Sequence, residues 1–100
     1  MSSGIISSVN LAEVVTRLVL MGGTASEIEQ GWSALHLQVQ PFDDVRAFAA
    51  GLLVARTRRL GLSLADRACL ALAIELGIPA VTADRAWSKL DLPVEIRIIR

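Results

Sequence analysis

The sequence has little of the two residue types that most often build disulfide or zinc scaffolds. It contains one cysteine and one histidine in 100 residues. A single cysteine excludes an internal disulfide, and a single histidine excludes the Cys and His ligand pattern of a structural zinc site. We therefore expect a protein of a reducing cytoplasm that is held together by a hydrophobic core.

The sequence also has no excess of charge and no long apolar run. Ten basic and ten acidic side chains cancel, so the net charge predicts neither a nucleic acid nor a membrane surface as partner. No apolar run reaches the roughly 18 residues that span a membrane, and residues 1–9 lack the basic start of a signal peptide. We expect no membrane association, and one domain over residues 1–100.

What is present is an alternation of strand and helix patterns. Three short β-branched or apolar runs and one alternating run predict strands, and the segments between them repeat their apolar residues at helical spacing. This order is typical of an α/β fold with a mainly parallel sheet. The predicted elements are a strand at 5–8, helices at 10–21 and 25–35, a strand at 35–40, helices at 43–60 and 63–76, a strand at 80–82, a short helix at 85–90 and a strand at 94–100.

Three carboxylates lie where helices begin. Glu13 comes three residues after Asn10, and Asp66 comes three residues after Ser63, which is the spacing of a helix-capping box. Asp84 directly precedes the short helix at 85–90. Each side chain, taken alone, is explained by capping of free backbone N–H groups.

Taken together, the same three carboxylates also fit a metal site. Glu13 and Asp84 each follow a predicted parallel strand, and the carboxyl ends of such strands are where open α/β sheets bind ligands. Asp66 lies in the first turn of the helix that leads into the second of these strands. Three converging carboxylates repel one another unless a cation lies between them, and carboxylate oxygens favour Mg²⁺ or Mn²⁺, the ions of phosphoryl-transfer chemistry.

Three segments resemble the acidic motifs of a known family. "SVNLAEVV", "LSLADRACLALA" and "VTADRAW" are similar to motifs of the PIN-domain superfamily, especially the VapC toxins of bacterial toxin and antitoxin pairs. The resemblance runs from residue 5 to residue 100. It implies a three-layer fold with a mainly parallel sheet flanked by helices, and Mg²⁺- or Mn²⁺-dependent endoribonuclease activity on RNA.

The resemblance also implies site residues and partners. Glu13, Asp66 and Asp84 match the metal-binding, catalytic acids, and Thr82 matches a small hydroxyl residue that supports the site. Arg67 and Arg85 each follow a site acid and are possible contacts to RNA phosphates, or else pair with a neighbouring carboxylate. Family members usually form homodimers and are silenced by a cognate antitoxin protein.

One part of the family pattern has no counterpart in this sequence. Family members begin with a strand that ends in an aspartate and lies in the middle of the sheet, and no acid precedes Glu13 here. We therefore expect an incomplete, N-terminally truncated PIN-like domain without the central first strand, which dimerises or exchanges strands. Two functions remain open: a ribonuclease that uses three acids, or a non-catalytic module for dimerisation or antitoxin binding.

Several other side chains have simpler interpretations. Arg56, Arg58 and Arg59 either contact RNA phosphates or form the solvated end of a helix. Trp32 and Trp87 are expected to be core or interface anchors rather than platforms for base stacking. Two residues have no predicted role in the site: His36 is expected on an exposed strand face, and Cys69 as a small core residue.

Overall fold

The structure is a computed structural model that describes residues 4–99. Its α/β architecture consists of helices and short parallel strands, as the sequence predicts. The chain divides into two compact units, an amino-terminal unit over Met1–Phe42 and a carboxy-terminal unit over Asp43–Arg100. The parallel strands form two separate two-stranded sheets, one in each unit.

The amino-terminal unit has the order strand, helix, helix, strand. It comprises β1 (Ile5–Ser7), α1 (Ser8–Leu20), α2 (Ala25–Leu35) and β2 (Gln38–Gln40). Strands β1 and β2 are parallel, with Ile6 opposite Val39.

The first helix begins earlier than predicted. Its N-cap is Ser7, whose hydroxyl accepts a hydrogen bond from the backbone N–H of Val9 at 3.3 Å. The next hydroxyl, on Ser8, accepts from the backbone N–H of Phe42 at 2.9 Å. Because Ser7 caps the helix and Ser8 joins its first turn to the chain after β2, Asn10 lies inside α1. The predicted N-cap at Asn10 is therefore wrong, and so is its capping box with Glu13.

The second helix begins as predicted and ends one residue before a left-handed turn. Thr24 and Glu27 form a complete capping box at its start. His36 ends it with φ 52°, a conformation that reverses the chain. The predicted strand at 35–40 is therefore shortened to three residues, because Leu35 is still helical and His36 is a helix cap.

The carboxy-terminal unit begins with three short helical pieces where one helix was predicted. Asp43 caps α3 (Asp44–Leu52) by accepting from the backbone N–H of Arg46 at 2.9 Å. A break at Leu53 separates α3 from α4 (Val54–Thr57), and a 3₁₀ turn at Arg58–Leu60 follows. The prediction of one continuous helix to Leu60 is wrong at this break.

The rest of this unit closely follows the predicted boundaries. It comprises α5 (Leu64–Leu76), β3 (Ala80–Thr82), a 3₁₀ helix at Arg85–Lys89 and β4 (Ile96–Ile98). Gly77 ends α5 with φ 66°, a left-handed conformation that favours glycine. Strand β4 is parallel to β3, with Val81 opposite Arg97. The predicted final strand is shorter than expected, and its last residue lies outside the described residues.

The hydrophobic core lies in the carboxy-terminal unit, around α5. Leu70, Ala73, Ala80 and Trp87 form one buried cluster, with Leu70 fully inaccessible to solvent. This confirms the prediction that the nearly all-apolar helix at 63–76 is buried. No helix in the part of the chain that the structure describes is long and apolar enough to cross a membrane.

Candidate functional site

The first predicted site residue, Glu13, lies on α1 in the amino-terminal unit. It is exposed and lies beyond the first turn of the helix, because α1 begins at Ser8. It therefore does not cap α1, and the capping explanation of its position no longer holds.

The second acid, Asp66, is a helix-capping residue. One of its carboxylate oxygens, Oδ2, accepts from the backbone N–H of Ser63 at 3.1 Å, and the Ser63 hydroxyl accepts from the backbone N–H of Asp66 at 3.1 Å. The side chain is half-buried at the start of α5. These two local bonds fix the carboxylate and leave Oδ1 without a hydrogen bond from residues 4–99.

The third acid, Asp84, follows β3 and is held by a similar local network. Its Oδ1 accepts from the backbone N–H of Ala86 at 2.9 Å, which caps the 3₁₀ helix. The hydroxyl of Thr82 accepts from the backbone N–H of Asp84 at 3.0 Å. Thr82 therefore fixes the backbone that carries Asp84, and the carboxylate itself is exposed to solvent.

The two arginines that follow the acids are placed differently. Arg67 is half-buried, and its Nη1 donates to the backbone carbonyl of Ala50 at 2.9 Å, which ties α5 to α3. Its buried Nε has no hydrogen-bond partner among residues 4–99. Arg85 is exposed at the start of the 3₁₀ helix. Arg67 is therefore partly used within the fold, whereas Arg85 is accessible to a ligand.

Cys69 lies one helical turn beyond Asp66 and packs against the core cluster. Burial raises the pKa of its thiol above the ordinary value, and the negative charge of Asp66 acts in the same direction. Because only the thiolate is a strong nucleophile or metal ligand, this thiol is an inert core group, as the sequence predicts.

The three predicted acids do not form a ready-made metal centre in the described residues. Among residues 4–99, no group of three or more His, Cys, Asp or Glu side chains is arranged so that it could hold a metal ion. The oxygens of Asp66 and Asp84 are the ligand type that Mg²⁺ prefers, and this ion is commonly held by one or two carboxylates together with water and substrate phosphates. The two acids therefore fit Mg²⁺ or Mn²⁺ in their chemistry, although they are not part of a group of three.

Comparison with known proteins decides the family. The family model of the PIN domain matches residues 2–92. The chain belongs to the PIN domain family. None of the curated proteins and none of the solved structures compared with it matches. Membership of the PIN family indicates a nuclease-type function in general, and it agrees with the α/β fold described above.

Lys89 is a charged residue that sequence reasoning did not connect with any site. It is the last residue of the 3₁₀ helix that Asp84 caps, and it lies beside the arginines of the segment 56–59 around one cavity. The sequence contained one signal for the position of Lys89, which was the predicted burial of Trp87. A buried Trp87 fixes where its neighbours along the chain lie. The separation of about thirty residues between the lysine and the arginines hid their proximity.

Proposed function

We propose that this PIN domain is a VapC-type endoribonuclease of a toxin and antitoxin pair in the cytoplasm, with cleavage that depends on Mg²⁺ or Mn²⁺. The observation that supports the proposal is the PIN family match over residues 2–92. In this proposal Glu13, Asp66 and Asp84 are the metal-binding acids. A bound ion would supply an activated water molecule and neutralise charge on the phosphate.

The contribution of this chain's own residues follows from their hydrogen bonds. Thr82 and the cap at Ala86 hold Asp84 at the end of β3, and Ser63 holds Asp66 at the start of α5. Each carboxylate keeps one oxygen without a hydrogen bond from the described residues. Preorganised acids of this kind need little reordering when a cation or a polar substrate group arrives.

The test is cleavage of a structured RNA with Mn²⁺ by the native chain, Asp84→Asn and Glu29→Gln. Glu29 is exposed on α2 and lies outside the proposed site, so its substitution removes the same charge without touching the acids. We expect Asp84→Asn to lower the cleavage rate at least about tenfold, as loss of a metal-site group typically does, and Glu29→Gln to cleave normally. Equal cleavage by all three proteins would contradict the role of Asp84.

A second candidate function is a non-catalytic PIN module for dimerisation or antitoxin binding. The observation that favours it is that residues 4–99 contain no group of three acids able to hold a metal ion. Absence of cleavage by the native chain in the same assay, at any Mn²⁺ concentration, would support this candidate over the enzyme.

A homodimer is part of the proposal, and α3 supports it. Val45, Phe48 and Leu52 share one side of this helix at spacings of three and four residues, and they are 71%, 70% and 64% exposed. An apolar stripe of this kind commonly marks a contact with another protein. Light scattering should give a dimer for the native chain and a monomer for Phe48→Glu. Met21→Glu, at an exposed apolar position on the other unit, should remain a dimer.

Strand exchange is the second way in which copies of this chain are proposed to associate. The backbone N–H of Ala80 donates to the backbone carbonyl of Glu95, just before β4, at 2.9 Å. The backbone carbonyl of Thr82 accepts from the backbone N–H of Ile99 at 2.8 Å. Because successive residues of a strand point their backbone groups to opposite sides, the N–H and C=O of Val81 point away from β4. The side chain of Val81 is 52% exposed. This edge of β3 is suited to pairing with another strand.

A further inference from the structure

The carboxy-terminal unit contains a basic cavity that none of the predicted acids lines. Its volume is about 630 Å³, and it lies between the segment after α3 and the end of the 3₁₀ helix at Arg85–Lys89. Four cations and one carboxylate are among its lining residues, and these are Arg56, Arg58, Arg59, Lys89 and Asp91. The cavity therefore carries an excess of positive charge, although the whole chain has no net charge.

Most of this positive charge is not neutralised within the fold. Arg56 donates to the backbone carbonyl of Asp91 at 2.6 Å, and its guanidinium is 3.9 Å from the solvent-exposed carboxylate of that residue. Exposed pairs of this kind contribute little to stability. Among the described residues, no ion pair or side-chain hydrogen bond involves Arg58, Arg59 or Lys89.

A helix-end explanation does not account for the cluster. Cations near the last turn of a long helix are stabilised by its dipole, but α4 has four residues and the following 3₁₀ turn has three. Lys89 comes from a different segment, which buried Trp87 anchors to the core. Two separate segments therefore bring like charges to one cavity, an arrangement whose positive potential attracts anions.

We propose that this cavity binds backbone phosphates of single-stranded RNA. Guanidinium groups bind phosphate through paired N–H donors, and a lysine adds a point charge. The 3₁₀ helix Arg85–Lys89 that follows Asp84 has five residues, so at a rise of about 2 Å per residue it spans about 10 Å. A strand of a few nucleotides reaches from the cavity to Asp84. The choice of RNA as the ligand rests on the proposed nuclease function.

The test is binding of a fluorescein-labelled, 12-nucleotide single-stranded RNA in EDTA, followed by fluorescence anisotropy at two salt concentrations. We compare the native chain with Arg58→Gln/Arg59→Gln and, separately, with Lys89→Gln, so that both segments of the cavity are tested. The matched control is Arg17→Gln/Arg97→Gln, which removes two charges outside the cavity, one on α1 and one on β4.

We expect the double substitution in the cavity to weaken binding at least about tenfold, and Lys89→Gln to weaken it about threefold. Because each phosphate contact on a single strand contributes about −0.7 to the slope of log K against log salt, the slope should become shallower by about 1.4. The control should bind within about twofold of the native chain. Equal losses in the cavity and control variants, or no binding by the native chain, would overturn the proposal.

Two further measurements keep this inference separate from its alternatives. An oligoglutamate of matched charge is added as a competitor, and tighter binding of the peptide than of the RNA would overturn the assignment to nucleic acid. Because EDTA removes metal ions, binding does not depend on cleavage. Binding without cleavage in Mn²⁺ would contradict only the proposed enzyme, and cleavage with unaltered binding by the cavity variants would contradict only this site.

Discussion

The two units of the chain have similar helices and very different cores. Among residues 4–99, the seven buried hydrophobic side chains all belong to the carboxy-terminal unit, and the single buried side chain of the amino-terminal unit is the polar one of Ser7. Helices α1 and α5 each have thirteen residues and many apolar positions. In α5 four residues are buried, and in α1 none is. Apolar content therefore does not by itself make a core.

The difference lies in what each helix packs against. α5 contacts α3 and β3, and Trp87 completes the cluster around Leu70. In the amino-terminal unit, α1 and α2 leave between them an apolar cleft of about 350 Å³, lined by Leu18 and Trp32 among others. The sheet of each unit has two strands of three residues and offers little area to cover a helix, so the burial of α5 depends on α3 and Trp87. The amino-terminal unit is therefore the part of this chain that gains most from further contacts.

The largest expected effect separates the two helices directly. Leu70→Ala on α5 removes a fully buried side chain, and such substitutions cost about 2–5 kcal/mol. Leu18→Ala on α1 removes a side chain that is 40% exposed, so we expect a smaller loss of about 1 kcal/mol because less buried apolar surface is removed. Urea unfolding measures the loss of unfolding free energy in each variant. The fluorescence of Trp87 reports on the carboxy-terminal unit, and that of Trp32 reports on the amino-terminal unit. Equal losses would show that the two cores are equivalent.

An intermediate effect concerns the two capping boxes, one in each unit. Ser63→Ala and Thr24→Ala each remove a hydroxyl that accepts from a backbone N–H in the first helical turn. We expect each to cost about 1 kcal/mol in its own helix. Hydrogen exchange should show faster exchange at the start of α5 for Ser63→Ala and at the start of α2 for Thr24→Ala. Faster exchange across both helices in either variant would contradict independent caps.

The smallest expected effect is on acid stability. Glu75 has a lowered pKa, chiefly because its carboxylate accepts hydrogen bonds from Arg46, and Glu27 has a lowered pKa because it accepts from Thr24. A lowered folded-state pKa means that stability is present above the ordinary value of 4.5 and is lost as the pH falls through the folded-state value. Both side chains are accessible to solvent, so each contribution is small.

The measurement for this last prediction is the melting temperature from pH 7 down to pH 3 for Glu75→Gln and Glu27→Gln. Each variant should be slightly less stable than the native chain at pH 7, and the difference should shrink toward pH 3. Glu29→Gln, with no hydrogen bond to its carboxylate from the described residues, is the control. A difference that grows on acidification would contradict the assigned direction of the pKa changes.

Much of the local structure was predictable from short sequence patterns. The capping box of Ser63 and Asp66, the left-handed Gly77 and the cap at Asp84 all occur where the pattern indicates. These features depend on hydrogen bonds between residues two or three positions apart, so the sequence contains both partners in one short segment.

The errors have a different physical origin. The first helix starts at Ser8 rather than after Asn10, and Ser8 binds Phe42, which is 34 positions away. The break at Leu53 is local, and there the Thr57 hydroxyl donates back to the Leu53 carbonyl at 2.9 Å, a type of bond that often bends helices. A pattern of apolar periodicity contains no information on either contact.

The sequence by itself determined the α/β alternation, the helix caps other than that of α1, the PIN resemblance and the residues that carry charge. Only the tertiary structure decided that the core forms around α5, that Lys89 joins the arginines at one cavity, and that residues 4–99 contain no group of three acids able to hold a metal ion. The physical reason is distance along the chain: caps are local hydrogen bonds, whereas cores, cavities and metal sites require side chains from distant segments to meet.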